Sequence, residues 1–431
     1  ELPVALKNLT QEWIALEKFE HALEHLHEQL RARPDACEVL TCLGFVLQKM
    51  HRPDAALEYY QRARELNKFD AELLNNLGIV LQDLGRLDEA IECYDAAIEL
   101  RPGFELALFH RCLAHLLRHD FVRGWSDYDL RLLSIDQPRR PAAYPSWDGG
   151  DLSQRRILVY AEQGLGDEIM FASCVPQVIA ASRHCVVECS PKLEGLFRRS
   201  FPAATVYAMS AARDFPLLVN EAGVELQIAM GSLPRFLRRS RADFPAHRGY
   251  LRADPERIQL WRGRLAELTP GLKVGISWQG GTLRTRRPLR SLPLARWLPI
   301  LRTPGVNFVN LQYTDCTPEL AEFKAATGIE VIDWQEARND YEHTAALVSA
   351  LDLVISVCTA AIHLGGALGR TVWVIAPYSP EWRYGIAGEK MPWYPSVTVF
   401  RQPRFGEWDP VIGRVADNLR LRAGAPAPAE N

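Results

Sequence analysis

The sequence predicts helical repeats followed by two α/β halves, and three observations carry that prediction. Residues of one kind recur 34 apart through the first hundred positions: Gly44 and Gly78, Ala56 and Ala90, Tyr60 and Tyr94, Ala63 and Ala97. Beyond position 155, short β-branched runs alternate with helical stretches, the pattern of parallel sheets covered by helices. Near the C-terminus, positions 356–369 read S-V-C-T-A-A-I-H-L-G-G-A-L-G and join the apolar runs 352–356 and 371–376 through a short helix.

The composition sets bounds. A chain of 431 residues holds two to four domains. A formal charge of −3 gives no general affinity for nucleic acid or acidic lipid. The nine cysteines form no C-x-x-C pair and no zinc spacing, so they read as reduced thiols in a cytoplasmic protein without a metal centre. No apolar run approaches the ~18 residues a membrane span needs, and no signal peptide is visible at the start of the sequence.

Small alanines and glycines let two antiparallel helices touch, leucines and tyrosines fill between them, and a proline ends the second helix. Leu43-Gly44 recurs as Leu77-Gly78, and Pro34 and Pro102 stand two periods apart. That period with those residue types resembles the tetratricopeptide repeat. Repeats are expected at 3–36, 37–70 and 71–104. A degenerate fourth, 105–138, keeps Tyr128 in register but loses the glycine, so the repeat domain is placed at 1–138. Such arrays present a concave face to a peptide or protein; a homo-oligomer contact or a rigid spacer is the other reading.

Turn-rich residues at 139–154 read as a linker. A first half, 155–270, opens with the strand 156–161, the loop 162–167 and a helix over 168–181. Strands at 185–188 and 204–207 follow. A second half, 271–421, has strands at 272–278, 306–311, 330–333, 353–357 and 371–376, and a last helix at 409–421 that would cross back to the first half. The tail 422–431 is expected to be disordered. Two such Rossmann-like halves with a cleft between them make the architecture called GT-B.

Thr359 is a good N-cap, and the first turn after it carries unpaired N–H groups and the positive end of the helix dipole. A helix start facing a strand's carboxyl end is where α/β proteins hold phosphate; an ordinary capped βαβ unit is the plain alternative. Gly164-x-Gly166 lacks its third glycine, since position 169 is Ile, so the dinucleotide fingerprint fails. Walker A, Gly-x-Ser-x-Gly and His-Glu-x-x-His motifs are absent as well.

The stretches A-E-Q-G-L-G-D at 161–167, V-G-I-S-W-Q-G at 274–280 and H-L-G-G-A-L-G at 363–369, with Pro380-Glu-Trp-Arg383 and Phe400-Arg-Gln-Pro403, resemble the heptosyltransferase-like glycosyltransferases (family nine). Closer still is a bacterial group in which tetratricopeptide repeats precede such a domain. The resemblance implies a GT-B fold and inverting, metal-independent transfer of a sugar from a nucleotide-sugar to an acceptor hydroxyl. No cofactor is needed beyond that donor. A protein or peptide recruited by the repeats is the expected acceptor. A lipid-linked or polysaccharide acceptor, or a catalytically silent nucleotide-binding scaffold, are the alternatives.

By the same resemblance Asp167 is the general base, with Glu162 in reserve; Asp167 would also serve as a helix N-cap. The donor-binding set is Ser277, Gln279, Arg284, Arg286, Arg287, Arg290, Cys358, Thr359, Ala360 and His363. Arginine forks suit a diphosphate, though a solvated basic loop or a core histidine would use the same residue types. Gly164, Gly166, Tyr313, Trp382 and Arg383 are pocket candidates. Cys358 stands where relatives commonly carry Asp, and Tyr313 replaces a basic residue. Both departures leave the donor open.

Overall fold

Glycine at the 34-residue period has a steric cause. A Cβ on Gly44 would fall 2.7 Å from Tyr60 Cε1, and one on Gly78 would fall 2.5 Å from Tyr94 Cε1. In the computed structural model, which describes residues 2–133, 144–209, 223–281 and 286–424, the chain divides into two compact units.

The first unit is an array of paired helices. It pairs α1 (Leu2–Ala15) with α2 (Phe19–Ala32), α3 (Cys37–Lys49) with α4 (Pro53–Leu66), and α5 (Ala71–Asp83) with α6 (Leu87–Leu100). Pro53 sits in the first turn of α4, where its missing N–H costs nothing. Asp70 caps α5 by accepting from the amides of Glu72 and Leu73. Ala56, Ala63, Ala90 and Ala97 are fully buried between helices, as the spacing requires. A fourth pair, α7 (Glu105–Leu117) and α8 (Phe121–Ser126), has a six-residue second helix that passes into a 3-10 turn at Tyr128–Leu133. The same unit takes in a distant segment, Tyr378–Ile386. Ser379 Oγ donates to Gln82 O at 3.1 Å, and the amide of Ile386 donates to Leu117 O at 3.0 Å.

The second unit, 132–377 with 387–431, holds two sheets. In the first, β1 (Arg156–Tyr160), β2 (His184–Cys189), β3 (Thr205–Ala208) and β4 (Leu226–Ala229) run parallel in the order β3-β2-β1-β4. After β1 the helical stretch is broken into α9 (Leu165–Phe171), a 3-10 turn and α10 (Val175–Ala181), with Pro176 in the first turn of α10. It starts three residues earlier than the periodicity suggested. After β2 comes α11 (Glu194–Ser200); α12 (Pro255–Ala266) precedes the second sheet.

That sheet has the order β6-β5-β7-β8-β10-β9, from β5 (Leu272–Ser277), β6 (Val306–Asn310), β7 (Leu353–Val357), β8 (Val372–Ala376), β9 (Lys390–Met391) and β10 (Tyr394–Arg401). Only β9 is antiparallel among them. α13 (Thr317–Thr327) follows β6, α14 (Tyr341–Ala350) leads into β7, and α15 (Ala360–Ala367) joins β7 to β8. Every residue of β7 and β8 is buried, which explains their unbroken apolar character.

Three expectations need correction. Positions 330–333 form no strand: Ile332 makes a single bridge to Val309, too little pairing for a ladder. The last helix, α16 (Asp409–Ala423), runs past 421 to a left-handed cap at Gly424, so 422 and 423 are helical; 425–431 lie outside the described residues. Its Val411, Ile412, Val415, Ala416 and Leu419 are buried in the second sheet's own core with Trp297, Ile300 and Phe400, so it packs on that half.

Candidate functional site

In a parallel sheet ligands gather where strand order reverses, because the loops there leave in opposite directions and open a crevice. Here the chain steps from β1 to β2 on one side and returns to β4 on the other; in the second sheet the reversal lies between β5 and β7. The candidates Glu162 to Asp167, Ser277 to Arg290 and Cys358 to His363 that fall among the described residues sit on or beside the turns after β1, β5 and β7.

The turn after β1 is built on Gly164. Its carbonyl accepts from the amides of Asp167 at 2.8 Å and Glu168 at 3.0 Å, so it is the N-cap and α9 begins at Leu165. Asp167 therefore stands in the first helical turn and is not the cap, because the turn starts two residues before it. Glu162 Oε1 accepts from the Gly231 amide at 3.1 Å, tying the ends of β1 and β4 together. Glu168, which the sequence reading passed over, is buried; it accepts from the Ser190 amide at 2.8 Å and from the Ser190 hydroxyl. Burial raises its carboxyl to about 7, against the lowering effect of the Ser190 bonds, and the charges of Glu162 and Asp167 add to the rise.

The turn after β5 is knotted by one side chain. Gln312 Oε1 accepts from Ser277 Oγ at 2.8 Å and from the amides of Trp278 and Gln279 at 3.1 and 3.2 Å. Gln312 Nε2 donates back to Gln279 O at 2.7 Å. Ser277 is buried under this arrangement, and Gln279 is held between Glu319 and Arg287, whose Nη2 donates to Gln279 Oε1 at 2.8 Å. Arg290 Nε donates to Gly280 O at 3.2 Å; Arg286, in the left-handed region at φ 60°, starts the helical turn Arg287–Arg290. Tyr313 is exposed, its hydroxyl 3.4 Å from Gly281 O. Arg284 lies outside the described residues.

The turns after β5 and β7 touch at Gly280, where a Cβ would fall 2.5 Å from Thr359 Cγ2 and 3.1 Å from Cys358 O. Thr359 caps α15, accepting from the Ala361 amide at 3.2 Å, and its hydroxyl lies 2.9 Å from that of Ser356. Cys358 is buried, while Ala360 and Ala361 are half-exposed. The start of α15 meets α9: a Cβ on Gly166 would lie 3.4 Å from Ala360 Cα and 3.1 Å from His363 Cδ2. His363 itself is buried, with Nδ1 3.2 Å from the Tyr394 hydroxyl.

Arg401, in the Phe400-Arg-Gln-Pro403 stretch, stands at the carboxyl end of β10. Its Nε donates to Gly388 O at 2.8 Å. Burial pushes the guanidinium down to about 10, and the neighbouring Cys358 acts in the opposite sense. It stays charged at neutral pH, a desolvated cation on the same edge of the sheet as Thr359.

Trp382 and Arg383 belong to the repeat unit. Trp382 packs against Trp125 and Tyr128, and Arg383 lies over the Trp382 ring and pairs with Glu381 at 3.4 Å. That unit also has a cavity of about 550 Å³ lined by Lys7, Thr41, Phe45, Asn75, Asn76 and Leu106 among others. Burial lowers His110 to about 4; neutral at physiological pH, its Nδ1–H donates to Asn75 Oδ1 at 2.8 Å. Among the described residues no group of three or more His, Cys, Asp or Glu is arranged to hold a metal, and no helix is long and apolar enough to cross a membrane.

Residues 71–104 match the tetratricopeptide repeat family. The chain is 36% identical over 313 residues to Protein FlbA of Caulobacter vibrioides, an alignment covering 69% of this chain and 52% of that protein. It thus spans about half the length of that relative. Among solved structures, an O-GlcNAc transferase mutant of Thermobaculum terrenum aligns over 98% of this chain and 92% of its own, at 14% identity and a TM-score of 0.35. YrrB, described as a tetratricopeptide-repeat protein with an unusual peptide-binding site, aligns over 30% of this chain and 67% of its own, at 28% identity and a TM-score of 0.27.

Proposed function

We propose that the chain is a glycosyltransferase of GT-B architecture that moves a sugar from a nucleotide-sugar to a hydroxyl on a protein or peptide held by the repeats. One observation carries this reading. The turn after β1 and the start of α15 meet, Gly166 against Ala360, at the carboxyl ends of strands beside both switch points. A carboxylate from one sheet and a helix N-terminus from the other then border one crevice.

In this reading the acceptor O–H attacks the anomeric carbon while Asp167 takes its proton. The bond from that carbon to the phosphate oxygen breaks on the opposite face, and its electron pair leaves with the nucleoside diphosphate, so the configuration inverts. Negative charge growing on the diphosphate meets the first-turn amides of α15 and the guanidinium groups of Arg290 and Arg401. Asp167 is half-exposed, as a base that must reach an acceptor has to be. The repeat cavity, with amide and hydroxyl side chains beside Phe45 and Leu106, suits an extended peptide segment.

The test incubates the chain with a panel of nucleotide-sugars and candidate acceptor proteins and follows nucleoside diphosphate release. Release that depends on acceptor and disappears in Asp167→Asn supports the reading. Diphosphate binding without turnover under any combination would favour a nucleotide-binding scaffold.

A further inference from the structure

His363 is grouped by resemblance with the donor contacts, yet its described bonds run into the protein. Tyr250 Oη donates to Ile169 O, a carbonyl of α9, at 2.6 Å, and a carbonyl can only accept, so the Tyr250 proton is committed there. The Tyr394 hydroxyl lies 3.5 Å from the Tyr250 hydroxyl and 3.2 Å from His363 Nδ1. With neutral His363 the Tyr394 proton either points to Nδ1, with the ring proton on Nε2, or points to the Tyr250 oxygen while Nδ1–H donates to Tyr394 Oη. With protonated His363 the same hydroxyl turns and accepts. Either way the ring keeps one orientation.

The Cδ2 edge of that ring lies under Gly166, the residue before Asp167. The helix bearing His363 is clasped at its other end too. The amides of Tyr250 and Leu251 donate to Ala367 O at 2.8 and 3.0 Å, and a Cβ on Gly249 would fall 2.8 Å from Gly369 N. The Tyr394 ring lies flat on the α15 backbone, where a Cβ on Gly366 would come within 2.4 Å of Tyr394 Cγ.

We propose that His363 is a positioning residue: held by Tyr394 and Tyr250, its ring is the floor on which the Gly164–Asp167 turn rests, and it sets where the Asp167 carboxylate stands. This deepens the transferase reading and rests on it for the role of Asp167. Among the described contacts the ring meets Tyr394 of β10 and Gly166 of the turn after β1, and Tyr250 stands behind Tyr394.

Three variants of the full chain separate positioning from phosphate contact. Tyr394→Phe removes only the hydroxyl. His363→Asn keeps atoms where Nδ1 and Cδ2 stand but lacks Nε2, and His363→Ala removes the ring. Two readouts are taken: amide hydrogen exchange at Asp167 and Glu168, both bonded to Gly164 O, and the thermal shift induced by a panel of nucleoside diphosphates. Loss of one supporting hydrogen bond should speed exchange at these amides by ~tenfold in Tyr394→Phe and at least as much in His363→Ala. His363→Asn should stay near wild type, and the diphosphate shift should persist in all three. If His363→Asn abolishes the shift, or Tyr394→Phe leaves exchange unchanged, the positioning role is overturned. If no nucleoside diphosphate shifts the wild-type chain, the transferase reading falls, and the exchange measurements still decide whether His363 supports the turn.

Discussion

Trp382 stands edge-on to Trp125, ring centroids 5.4 Å apart and planes at 89°, although 257 positions separate them in sequence. Tyr128 meets Trp382 in the same manner at 5.6 Å. The segment between β8 and β10 thus completes the hydrophobic interior of the last repeat, and the repeat unit is discontinuous in sequence. The repeats are consequently not a detachable adaptor. Removing residues 1–131 would leave Trp382 and Tyr384, buried in the intact chain, without the helices that cover them. The truncated chain should melt lower than the full one and bind a dye for exposed apolar surface. Within the full chain, Trp382→Ala should cost about 3–5 kcal/mol by urea unfolding. A truncation with an unchanged melting temperature would show the packing to be dispensable.

Glu168 makes stability depend on pH in a stated direction. Its carboxyl titrates at about 7 in the folded chain against an ordinary 4.5. Between those values the folded state holds a proton that the unfolded state has lost. Stability from this group is fully present below pH 4.5 and disappears as pH rises through 7. The gap corresponds to about 3 kcal/mol. Glu168→Gln keeps an acceptor for the Ser190 amide and carries no titrating proton, so its unfolding free energy should decline less than wild type from pH 5 to 8. Parallel pH profiles for the two proteins would remove Glu168 from the account.

Gly280 and Gly263 should respond to alanine with opposite signs. At Gly280 a Cβ meets Thr359 Cγ2 at 2.5 Å, in the contact that closes the two turns at the switch point. Gly280→Ala should destabilise by about 1–3 kcal/mol through overpacking and weaken nucleoside diphosphate binding by moving Thr359. Gly263 lies inside α12 with nothing within 4 Å of a Cβ. Gly263→Ala should therefore stabilise by up to about 1 kcal/mol, the helix propensity difference. Chemical unfolding of both variants checks the pair; destabilisation by each would mean the contacts at Gly280 are not the cause.

The repeats were legible because one glycine per repeat, Gly44 or Gly78, leaves a periodic trace wherever a tyrosine ring must lie against a helix. The strands that were read, such as 353–357 and 371–376, are buried on both faces and announce themselves by composition. What escaped notice had weaker local signals. β4 is four residues long, and β10 contains Pro395, which reads as a break although it is exposed. The β-branched pair Val331-Ile332 misled, since β-branched character alone does not supply a partner strand. At the site, Asp167 looked like a cap because the helix start was placed at Glu168, whereas Gly164 closes the turn. Glu168 and Arg401 gave no sign in sequence that burial would alter their carboxyl and guanidinium groups.

Arg401 offers the sharpest separation of binding from folding. A partly buried guanidinium whose charge is disfavoured by its surroundings contributes little to stability, and replacing such a group by an apolar one is often neutral or stabilising. A diphosphate at the start of α15 would instead give that cation an anion to bond, and charge-assisted hydrogen bonds of this kind contribute about 1.5–3 kcal/mol. Arg401→Met should therefore keep or raise the melting temperature of the free chain while weakening nucleoside diphosphate binding by ~10–100-fold. Arg401→Lys, which retains charge but loses the fork, should fall between. Calorimetric unfolding and titration on the same preparations decide the matter. A lower melting temperature with unaltered diphosphate affinity would make Arg401 a strut for the 387–388 turn and leave Arg290 alone to meet the anion at α15.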